Sequence, residues 1–221
     1  MIMTNTRQSA PVDWPAMAAR FSAAVGAGEL RIPARDLSIT TARLHRLYIG
    51  WSRKDRAWTF PLREADGGIV GINRRFANGD KRIIAGGKVG LYLPDDIEGA
   101  DRLLVAEGGT DAAALLDMGF AAVGRFSCNT SSWHIVELVQ RIRPTEVVAI
   151  ADHDGPGQRG AELLASTLVL HVPKVSIITT PATIKDVRAW RWVGATSQDI
   201  KRAIEAAQPR VLSMRVKRTR P

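Results

Sequence analysis

The chain has 221 residues, 45% of them hydrophobic and 24% charged, with a formal net charge of +9. That apolar content suits a globular core in one large or two small domains, and no apolar run approaches the ~20 residues of a membrane span. The one cysteine, Cys128, excludes an internal disulfide and a cysteine-rich zinc module in this sequence, so no zinc is expected; MIMTNTRQSAP has no apolar signal core, which makes the cytoplasm the expected compartment.

Residues 13–27, DWPAMAARFSAAVGA, predict a helix with Asp13 as N-cap, Pro15 in the first turn, and Gly26 and Gly28 as its stop. DLSITTARLHRLYIGW predicts a second, short helix with Ser38 as cap and Leu44, Leu47 and Tyr48 as an apolar stripe. AWTFPLR and GGIVGINRRF are strand-like runs joined by the hairpin signal EADGG; the turn NGDKR and IIAGGKVGLYLP follow, completing a small β-rich arm with many arginines. From residue 101 the rhythm changes. RLLVAEGG, FAAVGR, EVVAIADHDG and KVSIITT read as strands, and TDAAALLDMG, SSWHIVELVQRIR and GQRGAELLASTLVL as the helices between them. This alternation predicts an α/β fold with a parallel sheet covered by helices. TSQDIKRAIEAA predicts a last helix capped by Thr196 or Ser197, followed from Arg210 by a tail with five basic residues and no acid. The expected divisions are an N-terminal helical segment (1–30), a basic subdomain (31–95), an α/β domain (96–190) and a C-terminal helix with basic tail (191–221), the main boundary falling at residues 92–101.

Charge follows these divisions. Residues 31–90 carry +8, residues 91–190 carry −5 and residues 191–221 carry +6. Basic arms suit a polyanion and an acidic middle suits cations. The acids fall where strands end. Glu107 closes the first strand, Asp152 and Asp154 the third, and Asp186 follows the fourth; Asp111 lies four residues beyond Glu107. Ligands of open α/β sheets bind beyond the carboxyl ends of strands. Strand alternation would put Asp152 and Asp154 on one side and His153 on the other. Taken singly, one aspartate of the D-x-D could cap the following turn, and Asp111 could complement a helix dipole. Taken together, so many carboxylates on one edge call for a cation, and oxygen-only ligands suit Mg2+ or Mn2+. Two such ions ~3.5–4 Å apart make the clamp used in phosphoryl transfer.

LLVAEGGTDAAALLDMGFAAVGR, VVAIADHDGPGQRGAELL and IKDVRAW together resemble the three parts of a Toprim domain: a glutamate in E-G-x-x-D, a D-x-D before glycine, and a later Lys-Asp pair. Upstream, RDLSITTARLHRLYIGWS, AWTFPLREADGGIVGINRRF and KRIIAGGKVGLYLPD resemble the subdomain that precedes Toprim in bacterial, DnaG-type primases, so the resemblance spans roughly residues 34–190. Where those primases read K-Y-x-N-S, this chain reads KRIIAGG; it has no zinc-binding module and no Walker A motif, since GGKVG lacks the Ser or Thr after Lys.

The resemblance implies a Toprim fold, a Rossmann-like parallel sheet with flanking helices, preceded by a basic α+β subdomain. It implies nucleotidyl transfer on a single-stranded DNA template with NTP or dNTP substrates and two Mg2+ or Mn2+ ions. Glu107 would act as base or organise the attacking hydroxyl, Asp152 and Asp154 would bind the metal pair, and Asp111 and Asp186 would be outer ligands or supports. Arg74, Arg75, Lys81, Arg82 and Lys185 would contact nucleotide phosphates or the template backbone. The alternatives are a Toprim nuclease using the same acids, or a DNA-binding replication module that works with a helicase or zinc-module partner. A mobile element would be a natural source of so small a version. Topoisomerase chemistry would need a tyrosine nucleophile, and Tyr48 and Tyr92 both sit in packing stripes. Trp51, Trp58 and Trp133 are read as packing residues before base-stacking ones.

Overall fold

The opening helix forms through capping. In the computed structural model, which describes residues 11–25, 40–127 and 130–212, Asp13 accepts the Ala16 N–H at 2.9 Å and Pro15 lies in the first turn of α1 (Trp14–Ala23). The helix is shorter than expected because Val25 turns into the core, its N–H on Ser22 O at 3.2 Å; Gly26 and Gly28 lie outside the described residues. Helix α2 (Thr41–Arg46) buries Leu44, and Leu47 follows it into the core. Tyr48 does not join that stripe. Its φ of +56° swings the side chain outward, under the Arg63 guanidinium 5.9 Å from the ring centroid. Ser38, the expected cap, lies outside the described residues.

The basic arm is antiparallel. Strands β1 (Gly50–Ser52), β2 (Ala57–Arg63), β3 (Ile69–Arg75) and β4 (Lys81–Ile83) pair in succession, β2 and β3 through the EADGG turn. Four parallel strands follow, β6 (Arg102–Glu107), β7 (Ala122–Arg125), β8 (Glu146–Ala151) and β9 (Lys174–Thr179). Between the two sets lies β5 (Leu91–Tyr92), only two residues long. It pairs antiparallel with β2 at Arg63 and with β7 at Arg125 and Gly124. Among the described residues the nine strands therefore form one sheet, ordered β4-β3-β2-β5-β7-β6-β8-β9 with β1 on β2.

The expected crossover helices are α3 (Gly109–Asp117), α4 (Ser132–Ile142) and α5 (Gly155–Leu168). Strand period two divides the core between the sheet faces. Leu104 and Ala106 of β6 and Val148 and Ile150 of β8 pack with α3, while Leu103, Val105, Val147 and Ala149 pack with α4 and α5. All six residues of β8 are buried, the mark of a central parallel strand. Helix α6 (Val187–Trp192) was not legible as a helix; its six residues are too short to show a period. The last helix, α7 (Ser197–Ala206), starts where expected, the Asp199 carboxylate accepting both the N–H and the hydroxyl of Thr196 at 2.8 and 2.7 Å. Among the described residues no helix is long and apolar enough to cross a membrane.

Candidate active site

The carboxyl ends of the parallel strands open on one cavity of about 340 Å3. Glu107, Asp111, Asp152 and Asp186 line it together with Arg75, Lys81, Lys185 and Arg188. Residues from both halves of the sequence thus meet there: Arg75 and Lys81 come from the β3–β4 hairpin, and the acids and remaining cations from the parallel part.

Each acid is placed by a local device. Glu107 is the last residue of β6. Gly108, at φ +91°, then reverses the chain so that α3 starts at Gly109 and carries Asp111 in its first turn. Thr110 lies inside this helix, whose N-cap is Gly108. Beyond β8, strand geometry stops at Ala151, so the alternation argument does not reach the D-x-D pair. Asp152 turns into the cavity. Asp154 becomes the N-cap of α5 and accepts the Gly157 N–H at 2.8 Å, because Gly155 and Pro156 start the helix at once. Asp154 is not among the cavity-lining residues. Gly157 lets the helix approach this closely; a Cβ there would lie 2.8 Å from Asp152 Cβ.

Three of the five acids are partly committed to helix ends. Besides Asp154, Asp186 caps α6 by accepting the Ala189 N–H at 2.6 Å, and Asp111 accepts the Arg188 N–H at 3.0 Å across from α3. Each uses one carboxylate oxygen in this way. The Glu107 and Asp152 carboxylates accept no hydrogen bond among the described residues, and both residues line the cavity.

Crowding of like charge marks the site electrically. Burial pushes the Asp111 carboxyl up to about 7, and Asp186 adds to the rise. Burial and then the charges of Asp111, Glu107, Asp186 and Asp154 push Asp152 up to about 7 as well. Burial, then the adjacent Arg188, lowers the Arg75 guanidinium from its ordinary value. The donors are all oxygen, as Mg2+ or Mn2+ requires. Among the described residues, though, no group of three or more acidic, histidine or cysteine side chains is placed to hold a metal ion. The acids instead line the open cavity, where burial and mutual repulsion raise Asp111 and Asp152.

His153 has a task that spacing did not suggest. Its backbone N–H donates to Lys185 O at 2.8 Å, and its Nδ1 lies 3.1 Å from Thr180 O. Thr180 Oγ1 in turn donates to Ile184 O at 2.6 Å. The residue between the two aspartates thereby ties the D-x-D turn to the loop that carries Lys185 and Asp186.

The five expected phosphate contacts separate. In the β3–β4 ladder Arg75 is opposite Lys81 and Arg74 opposite Arg82. Period two sends the first pair to the cavity and the second to the other face. There Arg74 bonds Asp55 at 3.0 Å, Arg82 bonds Asp80 at 3.0 Å, and both guanidiniums flank the Phe76 ring. Lys185 lines the cavity. So does Arg188, two residues beyond the Lys-Asp pair and outside its motif. Tyr92 is buried with its hydroxyl accepting from Asn73 Nδ2 at 2.7 Å, and burial raises its pKa; Tyr48 lies outside the cavity lining, under Arg63. Trp51 and Trp58 pack on each other at 4.8 Å, whereas Trp133 is 67% exposed.

No protein-family model and no curated protein matches the sequence. Solved structures do match. A DnaG catalytic core aligns with a TM-score of 0.69 at 17% identity over 89% of this chain and 79% of that one. The DnaG primase catalytic domain bound to single-stranded DNA gives 0.69 at 18% over 89% and 78%. The RNA polymerase domain of Mycobacterium tuberculosis primase DnaG gives 0.64 at 16% over 88% and 82%. With its parallel strands extended by the antiparallel arm across β5, the chain has the fold of the DnaG-type primase catalytic core.

Proposed function

We propose that this protein is a metal-dependent nucleotidyltransferase that makes short primers on single-stranded DNA. The observation that carries this reading is the cavity in which Glu107, Asp111, Asp152 and Asp186 face Arg75, Lys81, Lys185 and Arg188. Transfer of a nucleotidyl group needs acids to hold cations and bases to hold phosphates, and little else from protein. A hydrolase acting on an uncharged substrate would have no use for four cations in the same space. The fold is that of a DnaG primase catalytic domain described bound to single-stranded DNA, which favours that template.

Glu107 and Asp152 would be the principal holders of Mg2+ or Mn2+, with Asp111 and Asp186 beside them in the cavity; Asp154, outside the lining, would support them as the N-cap of α5. When bound, such ions neutralise phosphate charge and lower the pKa of the attacking hydroxyl. Glu107 orients that hydroxyl and takes its proton. Lys81, Lys185, Arg75 and Arg188 grip the triphosphate and template phosphates, and His153 keeps Lys185 and Asp186 in register with Asp152. The test is to incubate the wild type and Glu107→Gln with single-stranded DNA, labelled NTPs or dNTPs and Mn2+. Short new strands from the wild type alone support the proposal. A shortened template would instead assign the acids to a nuclease.

A further inference from the structure

A second groove of about 490 Å3 adjoins the acidic cavity and shares Lys185 and Arg188 with it. Its remaining wall is Thr183, Ile184, Ala189, Trp192 and Val193, largely apolar. Helix α6 explains the arrangement. Positions four apart lie on one helix face, so Arg188 stands one turn below Trp192, and Ala189 one turn below Val193. The opposite face is buried through Val187 and Trp190. The helix is tied down at both ends, by Arg188 N–H on Asp111 and by Arg191 on Asp117, whose side chain is 3% exposed. On this fixed support Trp192 and Val193 are 63% and 62% exposed. An indole held in the open, beside two cations of a phosphate-binding cavity, is what a nucleotide would meet: phosphates on Lys185 and Arg188, base on the ring.

Building on the proposed phosphoryl-transfer site, we propose that this groove is the nucleobase subsite for the incoming nucleoside triphosphate, with Trp192 as its stacking platform. Because every base has a π-face, stacking on one indole supplies affinity without choosing among bases. A polymerising site has need of that property, since the template selects the base.

The experiment is calorimetric titration of the wild type, Trp192→Ala and Trp192→Phe with ATP, CTP and inorganic tripolyphosphate in Mg2+. The side chain is exposed, so both variants should fold. The wild type should bind each nucleotide at least about fivefold more tightly than tripolyphosphate, the low end of what stacking supplies. Trp192→Ala should reduce both nucleotides to the level of tripolyphosphate, Trp192→Phe should retain most of the affinity, and tripolyphosphate itself should bind all three proteins equally. Nucleotide affinity unchanged in Trp192→Ala, with tripolyphosphate still bound, would overturn the base subsite and leave the phosphate site standing. A wild type that binds neither nucleotide nor tripolyphosphate would overturn both.

Discussion

Glu107 and Asp152 are the proposed centre of the chemistry because, among the described residues, their carboxylates accept no hydrogen bond and both residues line the cavity. Glu107→Gln removes a charge and almost no volume. It should lower primer synthesis by about 10²–10⁴-fold, with the melting temperature kept or raised and single-strand affinity unchanged by filter binding. Asp111 and Asp152 also tie stability to pH. Their carboxyls bind protons more tightly in the folded protein, near 7, than the ordinary value of 3.8. This contribution is fully present below about pH 4 and is lost as pH rises through 7. Metal-free protein should therefore melt lower at pH 8 than at pH 5. Asp111→Asn keeps the acceptor for the Arg188 N–H and removes the buried charge, so it should stabilise metal-free protein at pH 8 by about 2 kcal/mol and have little effect near pH 4.5. Calorimetric scans at the two pH values check the sign. The sequence marked out these acids by their places at strand ends, but not their division of labour. Which aspartate of the D-x-D caps and which stays open depends on where β8 stops and α5 starts, and a period-two reading has no means of locating that point.

At the scale of elements, the β3–β4 hairpin sorts its cations by face. Arg75→Ala or Lys81→Ala should weaken binding of single-stranded DNA and lower its salt slope by about 0.7 each. The double variant Arg74→Ala, Arg82→Ala should leave that slope and primer synthesis within twofold of wild type, since those side chains serve Asp55, Asp80 and Phe76. An unaltered slope in the first pair and a reduced one in the second would reverse the assignment. At the start of α5, Gly157→Ala places a methyl against Asp152. It should cost about 1–3 kcal/mol of stability in denaturant titration and lower turnover more than nucleotide affinity, because it shifts a reacting carboxylate. The crossover elements were legible from apolar runs bounded by glycine. Helix α6 was not, since in VRAWRW only Val187 and Trp190 face the core; its existence depends on tertiary anchors at Asp111 and Asp117. The same anchoring brings Arg188 into the cavity, which is why that residue escaped a reading by motif.

Across the whole molecule, a two-residue strand joins two chemistries. The abrupt change in charge and rhythm near residues 92–101 is visible in the sequence, but the pairing of Leu91 and Tyr92 with β2 on one side and β7 on the other is not. That pairing brings the cations of the hairpin over acids some thirty to a hundred residues later in the chain, and the cavity exists only when both are present. The proposed activity of this cavity is the copying of a template. The most direct measurement supplies single-stranded oligo(dT), oligo(dA), oligo(dC) or oligo(dG) in turn, with one labelled nucleotide at a time and Mn2+. Template copying requires product only from complementary combinations, and none from Glu107→Gln. Incorporation indifferent to the template, or a shortened template with no new strand, would contradict it.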